Sequence, residues 1–249
     1  MRKPIIAGNW KMHKTVVESV ATVIELKAHV SGISDREIVV CPVFTALKFV
    51  CDALANSNIK VGAQNLFWEE KGAFTGEISA PQIKETGCSH VIIGHSERRQ
   101  YFHETNETVG KKILAALKAG LTPIVCIGET LAEREAGNAF TVNEKQIKES
   151  LASISEEQMK KLVVAYEPVW AIGTGKVASP EQAEEVHLCI RKAISSMFGK
   201  DIADTIRILY GGSVKPDNIA ILMAKENIDG ALVGGASLEA ESFAKIVKY

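Results

Sequence analysis

Long hydrophobic runs are absent from this sequence of 249 residues. A membrane-spanning helix needs about 18 or more consecutive apolar residues, and no segment comes near that length. The apolar stretch close to the N-terminus is interrupted after a few residues by Asn9, Lys11 and His13, which makes it too short for a signal-peptide core. We therefore expect neither a membrane span nor a cleaved leader.

An excess of charge of either sign is also missing. The chain has 29 Lys and Arg against 30 Asp and Glu, a formal net charge of -1. A protein that binds nucleic acid or an anionic membrane through its general charge would carry a basic excess, so neither partner is expected. The balance does not exclude a small anionic ligand, because one or two local donors suffice to bind it.

Paired cysteines at the spacing of a zinc knuckle or a redox motif are missing as well. The five cysteines are odd in number and contain no CxxC pair; they are Cys41, Cys51, Cys88, Cys126 and Cys189. This pattern argues against a disulfide framework and a zinc site. It is typical of a protein in a reducing compartment, so the expected location is the cytoplasm.

Linkers and low-complexity segments are lacking, and what the chain contains instead is a regular alternation of strands and helices. With 46% hydrophobic and 24% charged residues, the composition is that of a globular protein, which predicts one domain over residues 1–249. Eight short apolar runs predict strands at Ile5–Gly8, Ile38–Cys41, Lys60–Ala63, Val91–Ile93, Pro123–Ile127, Val163–Tyr166, Arg207–Leu209 and Ala231–Val233. Most of them are apolar throughout, as parallel strands covered on both faces are.

Eight strands in this length leave about 31 residues for each strand and the segment that follows it, close to the roughly 30 residues of a βαβ step. The predicted fold is therefore α/β, a closed (β/α)8 barrel of eight parallel strands inside an outer ring of helices. A doubly wound open sheet is the alternative. Capping boxes predict helix starts at Thr15 with Glu18, Ser79 with Gln82, Thr130 with Glu133, Thr141 with Glu144, and Ser179 before Pro180.

Polar or glycine residues follow nearly every predicted strand, and in a barrel these strand ends converge on one face. Glu167 ends an apolar strand. Burial would raise the pKa of this carboxylate and make it a stronger base if no cation pairs with it. The alternative is a solvated charge at a strand end.

His95 lies where a strand gives way to a helix start. The helix dipole disfavours the charged form of the imidazole, which predicts a neutral hydrogen-bond donor. The alternative is a histidine that is hydrogen-bonded for structural reasons.

Two further polar residues, Asn9 and Lys11, end the first strand. Lys11 is a candidate cation for an anionic substrate, although a solvated lysine is commoner. Asn9 is a candidate substrate donor or the first residue of an Asx turn, and the sequence favours the turn.

Glycine clusters follow the seventh and eighth strands, at 211–212 and 234–235. Backbone N–H groups at this place bind phosphate in many barrels, and together the two clusters favour a phosphate site. The loop 168–176 has an apolar middle between a proline and glycines, which predicts either a closing lid or a permanently packed loop.

Five motifs carry a resemblance to a known family. GNWKMHK, GHSERR, AYEPVWAIGTGK, YGGSV and LVGGASL occur in the order and strand positions of the triosephosphate isomerases, which the sequence resembles over essentially all of its length. The resemblance implies the TIM barrel and the interconversion of dihydroxyacetone phosphate and D-glyceraldehyde 3-phosphate, a step of glycolysis and gluconeogenesis. One departure is His13, where family members often carry Asn.

The resemblance also implies residue roles. Glu167 is the base, His95 the neutral electrophile, Lys11 the positive charge and Asn9 a polar contact. The residues that resemble the phosphate-binding set are Gly173, Ser213, Gly234 and Gly235. Glu97 is expected either to pair with Lys11 or only to serve the helix start, and Cys126 to be a buried structural thiol. A proton shift next to a carbonyl needs no metal or redox cofactor, so we expect neither.

The long segment Gln64–Ala80 carries Phe67, Trp68 and Phe74, and aromatic residues in a long loop suggest a covered surface. The resemblance implies a homodimer in which the region around Thr75 reaches the partner's active site.

Two other functions stay open from the residues alone. One is another phosphate-binding barrel enzyme such as an aldolase, although a Schiff-base aldolase would want a lysine near the sixth strand; the other is a non-catalytic phosphosugar-binding barrel.

Overall fold

Eight parallel strands close into a barrel in this computed structural model, which describes residues 2–173 and 176–249. Each strand pairs with the next one in the chain, and the eighth pairs with the first. The strands are β1 Ile5–Asn9, β2 Glu37–Cys41, β3 Ile59–Ala63, β4 His90–Ile93, β5 Thr122–Ile127, β6 Val163–Tyr166, β7 Arg207–Tyr210 and β8 Gly230–Val233. The predicted barrel is confirmed with every strand end within one residue, and the open-sheet alternative is wrong.

Helices surround this barrel in the part of the chain that the structure describes. They are α1 Val16–Val30, α2 Leu47–Ala53, α3 Ala80–Glu85, α4 Ser96–Phe102, α5 Asn106–Lys118, α6 Leu131–Glu135, α7 Ala139–Ser150, α8 Glu156–Met159, α9 Pro180–Phe198, α10 Lys200–Thr205, α11 Ile219–Met223 and α12 Ala240–Val247. Short 3₁₀ turns lie at Phe44–Ala46, Val169–Ala171 and Gly235–Ser237. None of the described helices combines the length and the apolar character needed to cross a bilayer.

Side-chain caps explain where several of these helices begin. Before α1, the Thr15 backbone N–H donates to Glu18 Oε2 at 2.7 Å and the Glu18 N–H donates to Thr15 Oγ1 at 3.4 Å. The predicted boxes at Thr130 and Ser179 form in the same way. At Ser79 the backbone N–H reaches Gln82 Oε1 at 2.9 Å, while the serine hydroxyl is buried without a partner.

The predicted helix start at Thr141 is wrong. Helix α7 already begins at Ala139, with Asn138 as its cap, so Thr141 and Glu144 both lie inside the helix. Gly137 turns the chain just before the cap with φ of 76°. The threonine–glutamate spacing is compatible with any helical turn, and here the glycine fixes the start instead.

Two hydrophobic cores stabilise the barrel. The larger one lies between the strands and the helices, where α9 contributes a buried stripe that includes Ala183, Val186 and Ile190. The second fills the barrel interior with Ile5, Ala7, Val39, Cys41, Ile92, Ile124, Cys126, Val163, Ala165, Leu209 and Leu232. A packed interior fixes the strand ends, and with them the side chains that follow each strand.

Closure between β8 and β1 depends on one glycine. Gly230 has φ of 148°, and a Cβ there would lie 1.9 Å from the carbonyl oxygen of Ile5. Any other residue would force the two strands apart. The register of β1 against β8, in which Ile5 faces Gly230, is thereby tied to the sequence.

Ion pairs fill the amino end of the barrel, where the strands begin. Glu37 Oε2 accepts from Arg207 at 2.9 Å, and His90 Nε2 lies 3.2 Å from Glu37 Oε1. Asp229, just before β8, accepts from Arg191 at 2.6 Å and also pairs with Arg2. These groups satisfy one another and hold the starts of β1, β2, β4, β7 and β8 together.

Candidate active site

A cavity of about 290 Å³ opens at the carboxyl end of the barrel. It brings together all of the site residues named from the sequence, which come from the ends of different strands. The cavity is lined by Asn9, Lys11, His95, Glu167, Ala171, Ile172, Gly173, Gly211, Gly212, Ser213, Val214, Lys215, Leu232, Gly234, Gly235 and Ala236. A cavity of this size suits a small substrate rather than a polymer.

Glu167 directly follows β6 and is almost completely buried. Its Oε2 accepts the backbone N–H of Ser96 at 2.9 Å, and its Oε1 lies 2.9 Å from His95 Nε2. Burial raises the pKa of Glu167, but the charge and hydrogen bond of His95 and the N–H of Ser96 lower it further, so the net direction is downward. The expected rise in pKa depends on the absence of a paired cation, and this condition is not met here, because the His95 and Ser96 donors hold the carboxylate ionised.

His95 is the cap of α4, as the sequence predicts. Its Nδ1 accepts the backbone N–H of Glu97 at 3.2 Å, which places the ring proton on Nε2, the nitrogen that faces Glu167. Burial lowers the pKa of His95 and the Glu167 carboxylate raises it, and the net direction is upward. The helix dipole alone predicts a lowered pKa for His95, and the direction is reversed because the Glu167 carboxylate lies next to the ring.

Lys11 follows β1 in a left-handed backbone conformation, with φ of 52°. Such a conformation is strained for a lysine and needs support from its surroundings. Gln64 supplies part of it, because its Nε2 donates to the carbonyl oxygens of Lys11 and Cys41, both at 2.8 Å. Lys11 Nζ donates to Glu97 Oε1 at 2.6 Å, so Glu97 does pair with Lys11.

Asn9 is buried beside Lys11 and adopts the predicted Asx turn. Its Oδ1 accepts the backbone N–H of Lys11 at 3.1 Å. The same side chain lines the cavity, so the turn and a contact to a bound molecule are compatible.

The cavity also has a glycine-rich lining. Gly173, Ser213, Gly234 and Gly235 all belong to it, and Gly234 is close to the Lys11 side chain. Gly211 has a different reason to lack a side chain, since a Cβ there would lie 2.9 Å from Glu167 Cγ. This glycine therefore leaves space for the carboxylate rather than for a ligand.

The loop 168–176 is only partly described, because Thr174 and Gly175 lie outside the described residues. Trp170, in the turn Val169–Ala171, donates from Nε1 to Glu129 Oε1 at 2.9 Å and packs against the outer core. The lid and the packed loop both stay predictions.

Comparison with known proteins gives one consistent result. The sequence model described as triosephosphate isomerase matches residues 4–249. The triosephosphate isomerases of Endomicrobium trichonymphae and Citrifermentans bemidjiense are each 61% identical over 249 residues, covering 100% of this chain and 99% of theirs. The chain belongs to the triosephosphate isomerase family.

A solved structure of that family has the same fold. The crystal structure of triosephosphate isomerase from Bartonella henselae superposes with a TM-score of 0.90 at 41% identity, covering 99% of this chain and 98% of that one. Membership of the triosephosphate isomerase family makes the chain an isomerase and speaks against both an aldolase and a non-catalytic barrel.

Three residues at this triosephosphate isomerase site were missed by the sequence reasoning. Ser96 donates to the Glu167 carboxylate, Leu232 of β8 adds an apolar wall to the cavity, and Lys215 adds a second cation to its lining. Leu232 belongs to the barrel interior and looks like core from sequence, and Lys215 is an ordinary exposed lysine. Of the three, only Ser96 could have been identified from the sequence, because it directly follows His95 at a helix start.

Two other expectations concern residues beside the site. Cys126 is fully buried in the barrel interior, where burial strongly raises the pKa of its thiol, as expected of a structural cysteine. His13 is exposed on the loop after β1, near Lys11 in sequence but outside the set that lines the cavity.

Proposed function

We propose that this protein interconverts dihydroxyacetone phosphate and D-glyceraldehyde 3-phosphate through an enediolate. The observation that carries the proposal is the meeting of a buried carboxylate and an imidazole N–H, Glu167 Oε1 and His95 Nε2 at 2.9 Å, on one small cavity with a lysine. A proton transfer next to a carbonyl needs a base, a hydrogen-bond donor for the oxygen and compensation of negative charge. The cavity supplies all three.

In the proposed mechanism, Glu167 removes a proton from the carbon next to the carbonyl. His95 donates its Nε2 hydrogen bond to the oxygen that becomes negative, and Lys11 stabilises the added charge. The proton of the neighbouring hydroxyl moves to the former carbonyl oxygen, and Glu167, now protonated, returns a proton to the neighbouring carbon, which completes the exchange of aldehyde and ketone. The protein supplies only proton transfer and hydrogen bonds, and no external oxidant or reductant is needed.

The substrate would occupy the space in which Glu167 and His95 now touch. Entry of the substrate would break their mutual contact, remove the interaction that holds the pKa of Glu167 down, and leave a buried carboxylate with greater basicity. The same separation removes the interaction that holds the pKa of His95 up, so the ring would act as a neutral donor. Binding itself would thus bring both groups into their reactive states.

The phosphate would lie against the backbone at Gly173, Ser213, Gly234 and Gly235, with Asn9 and Lys11 contacting the rest of the substrate. Two features support this assignment. The four residues line the same cavity as Glu167, and glycine allows an anion to approach the backbone N–H groups closely. The side chain of Lys11 lies near Gly234, so a cation is close to this part of the lining.

Isomerisation in deuterated water tests the proposal. Wild-type protein is expected to convert glyceraldehyde 3-phosphate and to place deuterium on the carbon next to the carbonyl. Glu167→Asp shortens the side chain and is expected to lose most of both signals, while Glu185→Gln, at an exposed site of α9, should keep them. Full turnover in Glu167→Gln would exclude Glu167 as the base.

We also propose that the protein is a homodimer formed through the segment Gln64–Ala80. In support, exposed apolar side chains follow four successive strands on one side of the barrel: Met12, Phe49, Phe74, Tyr101 and Phe102. Phe74 is 43% exposed although it stacks on Phe67 with ring centroids 4.6 Å apart. A continuous apolar face of this kind is typical of a subunit interface.

A charged residue in that face tests the dimer. Phe74→Asp or Thr75→Asp is expected to shift sedimentation from twice the chain mass of 27.0 kDa to the mass of one chain, and to lower activity. Ile221→Asp, an exposed apolar site on α11, is the matched control and should leave the dimer intact. An unchanged size in both Phe74→Asp and Thr75→Asp would contradict the proposed interface.

The proposed location is the cytoplasm, with a role in glycolysis and gluconeogenesis. All five cysteines are free thiols, and three of them are buried, as in proteins that fold under reducing conditions. The proposed reaction interconverts the two triose phosphates that form when a ketose bisphosphate is cleaved. This suits a role in sugar breakdown and synthesis.

A further inference from the structure

Two of the free cysteines lie next to each other at the opposite end of the barrel from the cavity. Cys51 is on α2, and Cys88 lies just before β4 begins at His90. The two thiols share a hydrogen bond. A Cβ built at Gly87, the neighbour of Cys88, would lie 3.2 Å from Cys51 Cβ and 3.4 Å from Cys51 Sγ, so α2 packs directly against this turn.

The two thiols differ in access to solvent. Cys51 is partly exposed, whereas Cys88 is only 1% exposed and forms part of the outer core. A small oxidant can therefore reach Cys51 first, and Cys88 is the group that meets the modified sulfur from inside. This is the arrangement of an attacked and a resolving cysteine.

The surroundings of the pair favour the resolving step. In the reduced pair the contact with Cys51 lowers the pKa of Cys88; the Thr86 hydroxyl, 3.2 Å from Cys88 Sγ, lowers it as well and remains once Cys51 has been modified. The same thiol contact raises the pKa of Cys51. A thiolate is the nucleophile in thiol–disulfide exchange, so the thiolate is favoured on the buried partner.

We propose that Cys51 and Cys88 form a reversible oxidation site that takes a low-molecular-weight disulfide as its oxidant. Cys51, the accessible thiol, gives up its proton as it attacks one sulfur of the oxidant, forms a mixed disulfide and releases one thiolate, which takes up a proton. The Cys88 thiolate then attacks Cys51 Sγ, forms the Cys51–Cys88 bond and releases the second thiolate. Two protein thiols lose two protons and two electrons, and the oxidant gains both as two thiols.

The bond would close a ring that contains β3 and the whole segment Gln64–Ala80. Cross-linking a ring of several tens of residues restricts the unfolded chain and stabilises the folded one. The catalytic residues follow the other ends of the strands, so His95 is separated from Cys88 by the length of β4. Oxidation is therefore expected to raise resistance to unfolding and to leave turnover unchanged.

Treatment of the full-length protein with oxidised glutathione, followed by digestion without reduction, tests the site. The expected result is a cross-linked peptide that joins Cys51 and Cys88, a fall in free thiols from five to three and a rise in unfolding temperature of roughly 5–10 °C, reversed by dithiothreitol. In Cys88→Ser, the expected product is a stable glutathione adduct on Cys51 instead.

Cys189 provides the matched control within the same chain. It is partly exposed like Cys51, but its Sγ lies 3.7 Å from Glu144 Oε1 and no second thiol contacts it in the described residues. It is expected to form no cross-link, and a glutathione adduct on it would only take the free thiols from three to two. A wild-type protein that carries glutathione on Cys51 while Cys88 stays reduced would overturn the proposal, as would five unreacted thiols. Both readings come from the wild-type protein and do not depend on the folding of any variant.

Discussion

The two ends of the barrel contain similar numbers of charged groups but use them differently. At the amino end, Asp229 is paired with two arginines and Glu37 with Arg207 and a histidine, so opposite charges compensate one another. At the carboxyl end, Glu167 is buried against His95 and the Ser96 N–H, and Lys11, paired with Glu97, stands in a strained backbone conformation beside a cavity. The charges at the amino end pair within packed protein, whereas those at the carboxyl end line a cavity that a small molecule can enter.

The largest effect on the carboxyl end is expected from Lys11→Met. Loss of the cation should reduce kcat/KM for glyceraldehyde 3-phosphate by at least roughly a thousandfold, about 4 kcal/mol of transition-state stabilisation. Steady-state kinetics measure it. Lys215→Met removes the exposed cation at the rim of the same cavity and should change kcat/KM by less than about tenfold. Equal losses in the two variants would mean that only the total charge of the cavity matters.

Substitutions at the amino end are expected to change the free energy of unfolding rather than turnover. Asp229→Asn leaves Arg191 buried without its carboxylate partner and should lower the free energy of unfolding by about 3 kcal/mol. Urea denaturation measures it, and kcat of the folded variant should stay near that of the wild type. Asp35→Asn, at an exposed pair with Arg36, should leave the free energy of unfolding unchanged within error. A large loss of kcat in Asp229→Asn would remove the distinction between the two ends.

A smaller effect is expected in acid from Glu37. Its contact with His90 outweighs partial burial and lowers the pKa of Glu37 to about 2 from its usual 4.5. A carboxylate with a depressed pKa in the folded state stabilises the protein above pH 4.5, and this stabilisation is lost as pH falls from 4.5 towards 2.

Glu37→Gln should therefore lower the free energy of unfolding by about 2 kcal/mol at pH 6, allowing for the partial exposure of the group, and by much less near pH 2. Urea denaturation at several pH values measures the difference. The same difference at both pH values would assign the effect to packing rather than to the ion pair.

The strands were predictable from the sequence, but the pKa directions and the backbone conformation at the candidate site were not. Apolar runs such as Val163–Tyr166 mark parallel strands because both faces are buried, and the chain order then determines which polar residues meet. The pKa direction of Glu167 depends on Ser96 and His95, which are distant in the chain, and the backbone of Lys11 depends on Gln64. Such contacts arise only on folding, so local patterns give the residues of the site without their electrostatics.

The most direct test of the contrast is to measure turnover and the free energy of unfolding together for Glu167→Gln. The substitution removes a buried charge and keeps the shape of the side chain. Turnover is expected to fall by at least roughly a thousandfold, while the free energy of unfolding falls by less than in Asp229→Asn because Gln still offers an oxygen to the Ser96 N–H. A variant that keeps its turnover, or that loses stability as Asp229→Asn is expected to, would contradict the claim that the carboxyl end holds its charge for chemistry.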